Sequence, residues 1–303
     1  MELKMKQADG GANRSTIGFG ALMITAMAAW GASWTSAKLI AGMAAAEVLV
    51  FWRFLMTFIS FIPIILWSKE SLRLNVKALG LTFLSAVLLI GYNEVFFAGL
   101  RYGAAGVGSL LVTTLSPMFT FLLSASLFGR KVGKKEIFGL LLGLAGGVII
   151  LDLGHLDTGD LVKSGNLLFL LGAVVWAALT ITSQKAQENG VSTFVYSFYL
   201  YGFASLLDLV MALRYPVLEV FQYTPVFWWN IFYLAVFSTT FANSIFFFGS
   251  RKLGAGPTSV FMYLVPVFAV FVSWQLLHEI PKGSTLLGGI LAMIAVYLVN
   301  RRQ

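Results

Sequence analysis

Asn93-Glu94-Val95-Phe96-Phe97-Ala98-Gly99-Leu100-Arg101 recurs as Asn243-Ser244-Ile245-Phe246-Phe247-Phe248-Gly249-Ser250-Arg251, shifted by 150 positions. Gly106 matches Gly256 at the same shift. Pro117-Met118-Phe119 then matches Pro266-Val267-Phe268 at a shift of 149, which Gly139 and Gly288 keep. A period of about half the chain means a structure built twice. If the chain is a membrane protein, the junction of the two halves is where a transport site is expected.

Composition supplies that condition. Of 303 residues, 58% are apolar and 11% charged, and the mean hydropathy is +0.85. Soluble domains run about 45–50% apolar and ~25% charged, so this is an integral membrane protein. Without cysteine there is no disulfide framework. The two histidines, His155 and His278, fall at the edges of apolar segments and build no metal site. No cofactor is expected. The net charge of +8 is explained by cytoplasmic loops, so nucleic acid is not an expected partner. The apolar stretch after the polar residues 1–16 reads as a span, not as a cleaved signal peptide.

A membrane-crossing helix needs ~20 mostly apolar residues. Ten stretches qualify: 17–41, 45–67, 76–101, 104–128, 135–152, 165–185, 193–213, 225–250, 254–277 and 284–300. With the N-terminus in the cytoplasm, fifteen Lys and Arg fall on inner segments and five on outer ones, with Arg53 inside a span. That asymmetry fits the positive-inside rule. Five spans per half is an odd number, so the second half enters the membrane upside down. The expected fold is all-α, ten transmembrane helices as two inverted five-helix repeats. Its parts are a cytoplasmic tail (1–16), a first repeat (17–152), an outer linker (153–164) and a second repeat (165–300). Both termini are then cytoplasmic.

The order and double occurrence of Asn-x-x-Phe-Phe-x-Gly, a glycine turn and Pro-x-Phe resemble the EamA family of the drug/metabolite transporter superfamily. The regions of Trp30 and Trp176 and the string Phe51-Trp52-Arg53-Phe54 add to the resemblance, which covers essentially the whole chain. Within the family the chain looks most similar to aromatic amino-acid exporters of the YddG type. The resemblance implies a ten-helix exporter of metabolites, amino acids among them, in the inner membrane. One departure is plain: the family pattern commonly has Glu after spans 4 and 9, and here Arg130 stands in the first place and Glu279 in the second.

Polar and ionisable groups inside spans are costly and each needs an account. Arg53 is either an interfacial structural arginine that snorkels outward or pairs with Glu47, or a gate or substrate-carboxylate contact. Glu94 either lies near the outer interface, solvated or paired with Arg101, or faces the interior and carries a proton, which makes it the candidate coupling residue. Asp208 is comparable. Trp30 and Trp34 share a helix face, and Trp176 with Thr180 makes the corresponding face in the second half. Tyr92, Tyr199 and Tyr263 are further mid-span aromatics with a polar end, whereas Trp67, Phe227, Trp228 and Trp229 look like belt residues. The expected substrate contacts are aromatic at Trp30, Trp34, Tyr92, Trp176 and Tyr263, and hydrogen-bonding at Asn93, Thr113, Thr180 and Asn243. Pro117 and Pro266, each in mid-span, read as hinges. The glycines of spans 5 and 10 make small-residue faces for packing or a homodimer contact.

The leading reading is therefore a secondary transporter exporting amino acids, aromatic or otherwise neutral and amphipathic, or related metabolites, by alternating access. Its partners are a small-molecule substrate and the bilayer, and it works as a monomer or homodimer. Alternatives are export of other small metabolites or drugs, and a channel or facilitator, although no charged ring favours a pore. An intramembrane enzyme would need a catalytic constellation, and Gly31-Ala32-Ser33-Trp34 supplies none.

Overall fold

The apolar stretches form helices in a computed structural model, which describes residues 2–128, 133–151, 165–253, 261–262 and 264–300. The elements are α1 (Glu2–Ile40), α2 (Ala46–Ser68), α3 (Val76–Tyr102), α4 (Ala105–Phe128), α5 (Lys134–Leu151), α6 (Asn166–Glu188) and α7 (Thr193–Ala212). A short 3₁₀ turn, Glu219–Gln222, leads into α8, which has three parts: Pro225–Phe232, a π-helical stretch Tyr233–Phe241, and Ala242–Leu253. The last two are α9 (Leu264–Leu277) and α10 (Gly283–Asn300). Among the described residues, five segments are long and apolar enough to cross a bilayer: Ala46–Ser68, Val76–Tyr102, Ala105–Leu123, Asn166–Glu188 and Thr193–Ala212. Leu264–Leu277 is a shorter apolar helix. The residues read from sequence as a polar tail continue α1 as helix from Glu2.

Local chemistry sets the ends. Asn75 caps α3 by accepting from Ala78 N, and Ser192 caps α7 by accepting from Val195 N, which satisfies amides with no partner inside the helix. Pro225 opens α8, where its missing N–H costs nothing.

The helices pair across the two halves of the chain. The most extensive contacts are α5 with α10, α3 with α6, α2 with α7, α4 with α6, and α1 with α9. Glycine makes several of these approaches possible. A Cβ on Gly31 of α1 would stand 2.4 Å from Phe268 Cβ and 2.9 Å from the Val265 carbonyl of α9. Gly99 and Gly108 receive the buried ring of Phe169, which would lie 2.7 Å and 2.6 Å from a Cβ at those places. Gly139, Gly143, Gly146, Gly288 and Gly289 are all buried, as a close α5–α10 contact requires.

Of the aromatics read as belt residues, Trp67 and Trp229 are 87% and 71% exposed, while Phe227 is fully buried. Phe227 is thus a correction to the sequence reading: its ring packs edge-on against Tyr223 and Trp228 inside the bundle.

A candidate transport cavity and its polar network

A cavity opens in the middle of the bundle, with about 680 Å³ of empty space counting the open solvent at its mouth. Trp30, Trp34, Tyr92, Asn93, Thr113, Trp176 and Asn243 all line it, so α1, α3, α4, α6 and α8 each place a sequence-nominated residue on one wall. Thr180 does not join them: it is exposed, and its hydroxyl is turned back to the Trp176 carbonyl at 2.8 Å. Tyr263 lies outside the described residues, although Met262 and Val265 beside it line the cavity. Tyr199 is also elsewhere, donating to the Leu72 carbonyl at 3.0 Å.

The aromatic wall is held by ring contacts. Trp34 meets Phe96 edge-on with centroids 4.8 Å apart, Tyr92 meets Trp176 at 4.7 Å, and Trp30 meets Phe246 at 5.0 Å. Such pairs fix large side chains in one orientation and leave faces free for a ligand.

The two repeated asparagines anchor the polar part. Asn243 Oδ1 accepts from Trp30 Nε1 at 2.9 Å, and its Nδ2 donates to the Tyr201 hydroxyl at 2.8 Å. Asn93 Oδ1 accepts from Arg53 Nη1 at 2.9 Å, and its Nδ2 donates to the Leu89 carbonyl at 2.9 Å. Arg53 Nη2 donates to Thr239 Oγ1 at 3.2 Å. Neither Asn is mere filler between helices; each aims a larger group.

Of the readings open for Arg53, pairing with Glu47 is the one the structure contradicts: the Glu47 carboxylate accepts from the Tyr215 hydroxyl at 3.1 Å. Arg53 lines the cavity. Tyr201, Ser238 and Thr239 line it too and carried no sequence signal. Ser238 and Thr239 belong to the π-helical stretch, whose wider turn frees the Ser238 carbonyl to accept from Trp30 Nε1 at 2.9 Å. Thr239 and Thr240 donate to carbonyls five residues back, Leu234 and Ala235, the spacing of a π turn.

Glu94 faces inward and does not pair with Arg101. Arg101 Nε instead donates to the Ala41 carbonyl at 2.8 Å, and its Nη2 to that of Ala44. Asp208 of α7 is fully buried, neither of its oxygens has a donor, and Glu94 Oε1 has none either. The two carboxyls stand near each other. Glu47 is the third acid of the cluster, acting on both through space.

Pro117 lies inside α4, and Pro266 lies in α9. Glu279, at the end of α9, reaches the other half: its carboxylate accepts from Ala105 N at 3.0 Å and approaches Gly106 N at 3.5 Å, at the start of α4. His278, at φ 54°, turns the chain to put it there. Burial pushes the Glu279 carboxyl up, opposed by those two amides and by Lys38. Lys38 in turn donates to the Leu100 carbonyl and, at 2.9 Å, to that of Gly103, the favourable end of α3 for a cation. Arg130 lies outside the described residues.

Comparison with known proteins agrees with this architecture. The chain is 26% identical over 275 residues to the uncharacterized transporter YyaM of Bacillus subtilis, covering 88% of each. It is 24% identical to an uncharacterized transporter of Archaeoglobus fulgidus, covering 84% of this chain and 88% of that one. It is 23% identical to the Bacillus subtilis uncharacterized transporter YoaV, covering 89% and 92%. A solved crystal structure shares the fold with a TM-score of 0.64 at 20% identity, over 94% of this chain and 99% of that one. The EamA-like transporter family matches twice, over residues 19–152 and 163–301. A membrane transporter in architecture and in its relatives, the chain belongs to the EamA-like transporter family.

Proposed function

We propose that this transporter is a secondary exporter of amino acids, aromatic or otherwise neutral and amphipathic, or of closely related metabolites, across the inner membrane. The observation that carries the reading is the cavity wall: Trp30, Trp34, Tyr92 and Trp176 present aromatic surface beside the amides of Asn93 and Asn243. An amphipathic solute needs both.

Alternating access between two inverted five-helix repeats, 17–152 and 165–300 with the outer linker 153–164, suits the helix pairing. Exchanging the repeats turns α3 on α6 into α8 on α1, and α4 on α6 into α9 on α1, while α2 with α7 and α5 with α10 map onto themselves. All of these contacts are present. The Lys and Arg distribution supports cytoplasmic termini. The halves rock about the cavity, with Pro117 and Pro266 as hinges, as a monomer or as a homodimer joined through α5 and α10. Glu94, with Asp208 as its partner, carries the coupling proton. Glu47 is a further acid acting on both.

The test is transport in everted vesicles or proteoliposomes with a panel of amino acids and a proton gradient imposed or collapsed. Phe, Trp or Met is expected to be carried, and Trp30→Ala and Trp176→Ala each to lower the rate. Undiminished transport by both variants refutes the aromatic cavity.

A further inference from the structure

Arg53 carries a charge without a counter-charge. Among the described residues no Asp or Glu bonds to it; its two hydrogen bonds go to the neutral oxygens of Asn93 and Thr239. Its Nε is buried with no partner. Among the described residues the nearby acids are engaged elsewhere: Glu47, on its own helix, accepts from Tyr215, and Glu94 and Asp208 stand near each other. A buried, unpaired cation is costly to maintain. It persists here because Asn93 and Thr239 grip one edge of the guanidinium in the cavity wall.

We infer that Arg53 is the binding site for an anionic oxygen group of the transported solute, so that the cavity selects organic carboxylates over their neutral or purely cationic analogues. A guanidinium is planar and takes a carboxylate through paired N–H donors. With Asn93 and Thr239 fixing its orientation, the solute carboxylate meets a preset cation and the solute body meets Tyr92 and Trp176. This inference rests on the proposed transport cavity, but it assigns the recognition to charge and not to the aromatic wall.

Purified full-length protein in detergent tests it by calorimetric titration with acid–amide pairs of identical shape: 3-phenylpropionate with 3-phenylpropanamide, L-phenylalanine with L-phenylalaninamide, and 4-methylpentanoate with 4-methylpentanamide. In each pair the acid is expected to bind at least about tenfold more tightly, the usual weight of a hydrogen bond to a charged group. Arg53→Gln should erase that preference, and Thr239→Val should weaken the acids while leaving the amides alone. If Arg53→Gln fails to fold, the wild-type pairs and Thr239→Val still decide. Amides binding as tightly as acids, an acid preference that survives Arg53→Gln, or no binding of any carboxylate overturns the assignment. Aliphatic acids binding while aromatic ones do not would sink the aromatic reading and keep the Arg53 site. Aromatic amides binding as well as aromatic acids would do the reverse.

Discussion

The two copies of Asn-x-x-Phe-Phe-x-Gly-x-Arg hold their asparagines against the same cavity, yet give them opposite company. Asn93 receives a cation, Arg53, and stands in a helix that is regular along its length. Asn243 receives a neutral indole, Trp30, donates to a phenol, Tyr201, and follows directly on a π-helical stretch. The next residue differs as well: Glu94, an acid near Asp208, against Ser244, whose buried hydroxyl has no partner. Duplication thus supplied two equivalent scaffolds, and divergence made one edge of the cavity charged and the other neutral.

The largest expected effect lies at the position where the copies differ most. Glu94→Gln should abolish any dependence of transport on an imposed proton gradient, while Ser244→Ala leaves it intact. Equal responses of the two variants, measured in proteoliposomes, would dissolve the distinction. Next come the asparagines themselves. Asn93→Ala removes an acceptor from a guanidinium and should weaken solute binding about 10- to 100-fold, whereas Asn243→Ala removes neutral bonds and should cost about 2- to 10-fold. The reverse ranking in calorimetric titration would mean that the charged edge is not the stronger one. A smaller effect is expected for Trp30→Phe, which keeps an aromatic face but loses the donor to Asn243 and Ser238, and should reduce affinity by only a few-fold. Smallest of all, Thr180→Val should leave binding and transport unchanged, because the hydroxyl is outside the cavity; a clear loss there would move the second copy's polar wall.

Much of this was legible in the residue order. The apolar composition, the helical stretches and the same-face spacing of Trp30 with Trp34 all depend on local chemistry, and those residues do meet at the cavity. What escaped depends on helix phase or on distant partners. Arg53 looked interfacial because Glu47 is near in sequence, but α2 turns the guanidinium toward α3 and α8 instead. Thr180 was grouped with Trp176 by spacing, and its hydroxyl turns back to the helix backbone. The π-helical stretch Tyr233–Phe241 leaves no mark in composition, because one extra residue per turn changes hydrogen-bond spacing and not hydrophobicity. Phe227 beside Trp228 and Trp229 looked like a belt, and only tertiary packing separates a buried ring from an exposed one.

Glu279 finishes a helix that it does not belong to. The first amides of α4 have no partner in their own helix, and the acid that accepts from them follows α9, in the other half of the chain. Lys38 stands close by on the end of α3. If the halves part at this joint, the amides lose their acceptor and the carboxylate loses its donors together, so each half stabilises the end of the other's helix only while they stay joined.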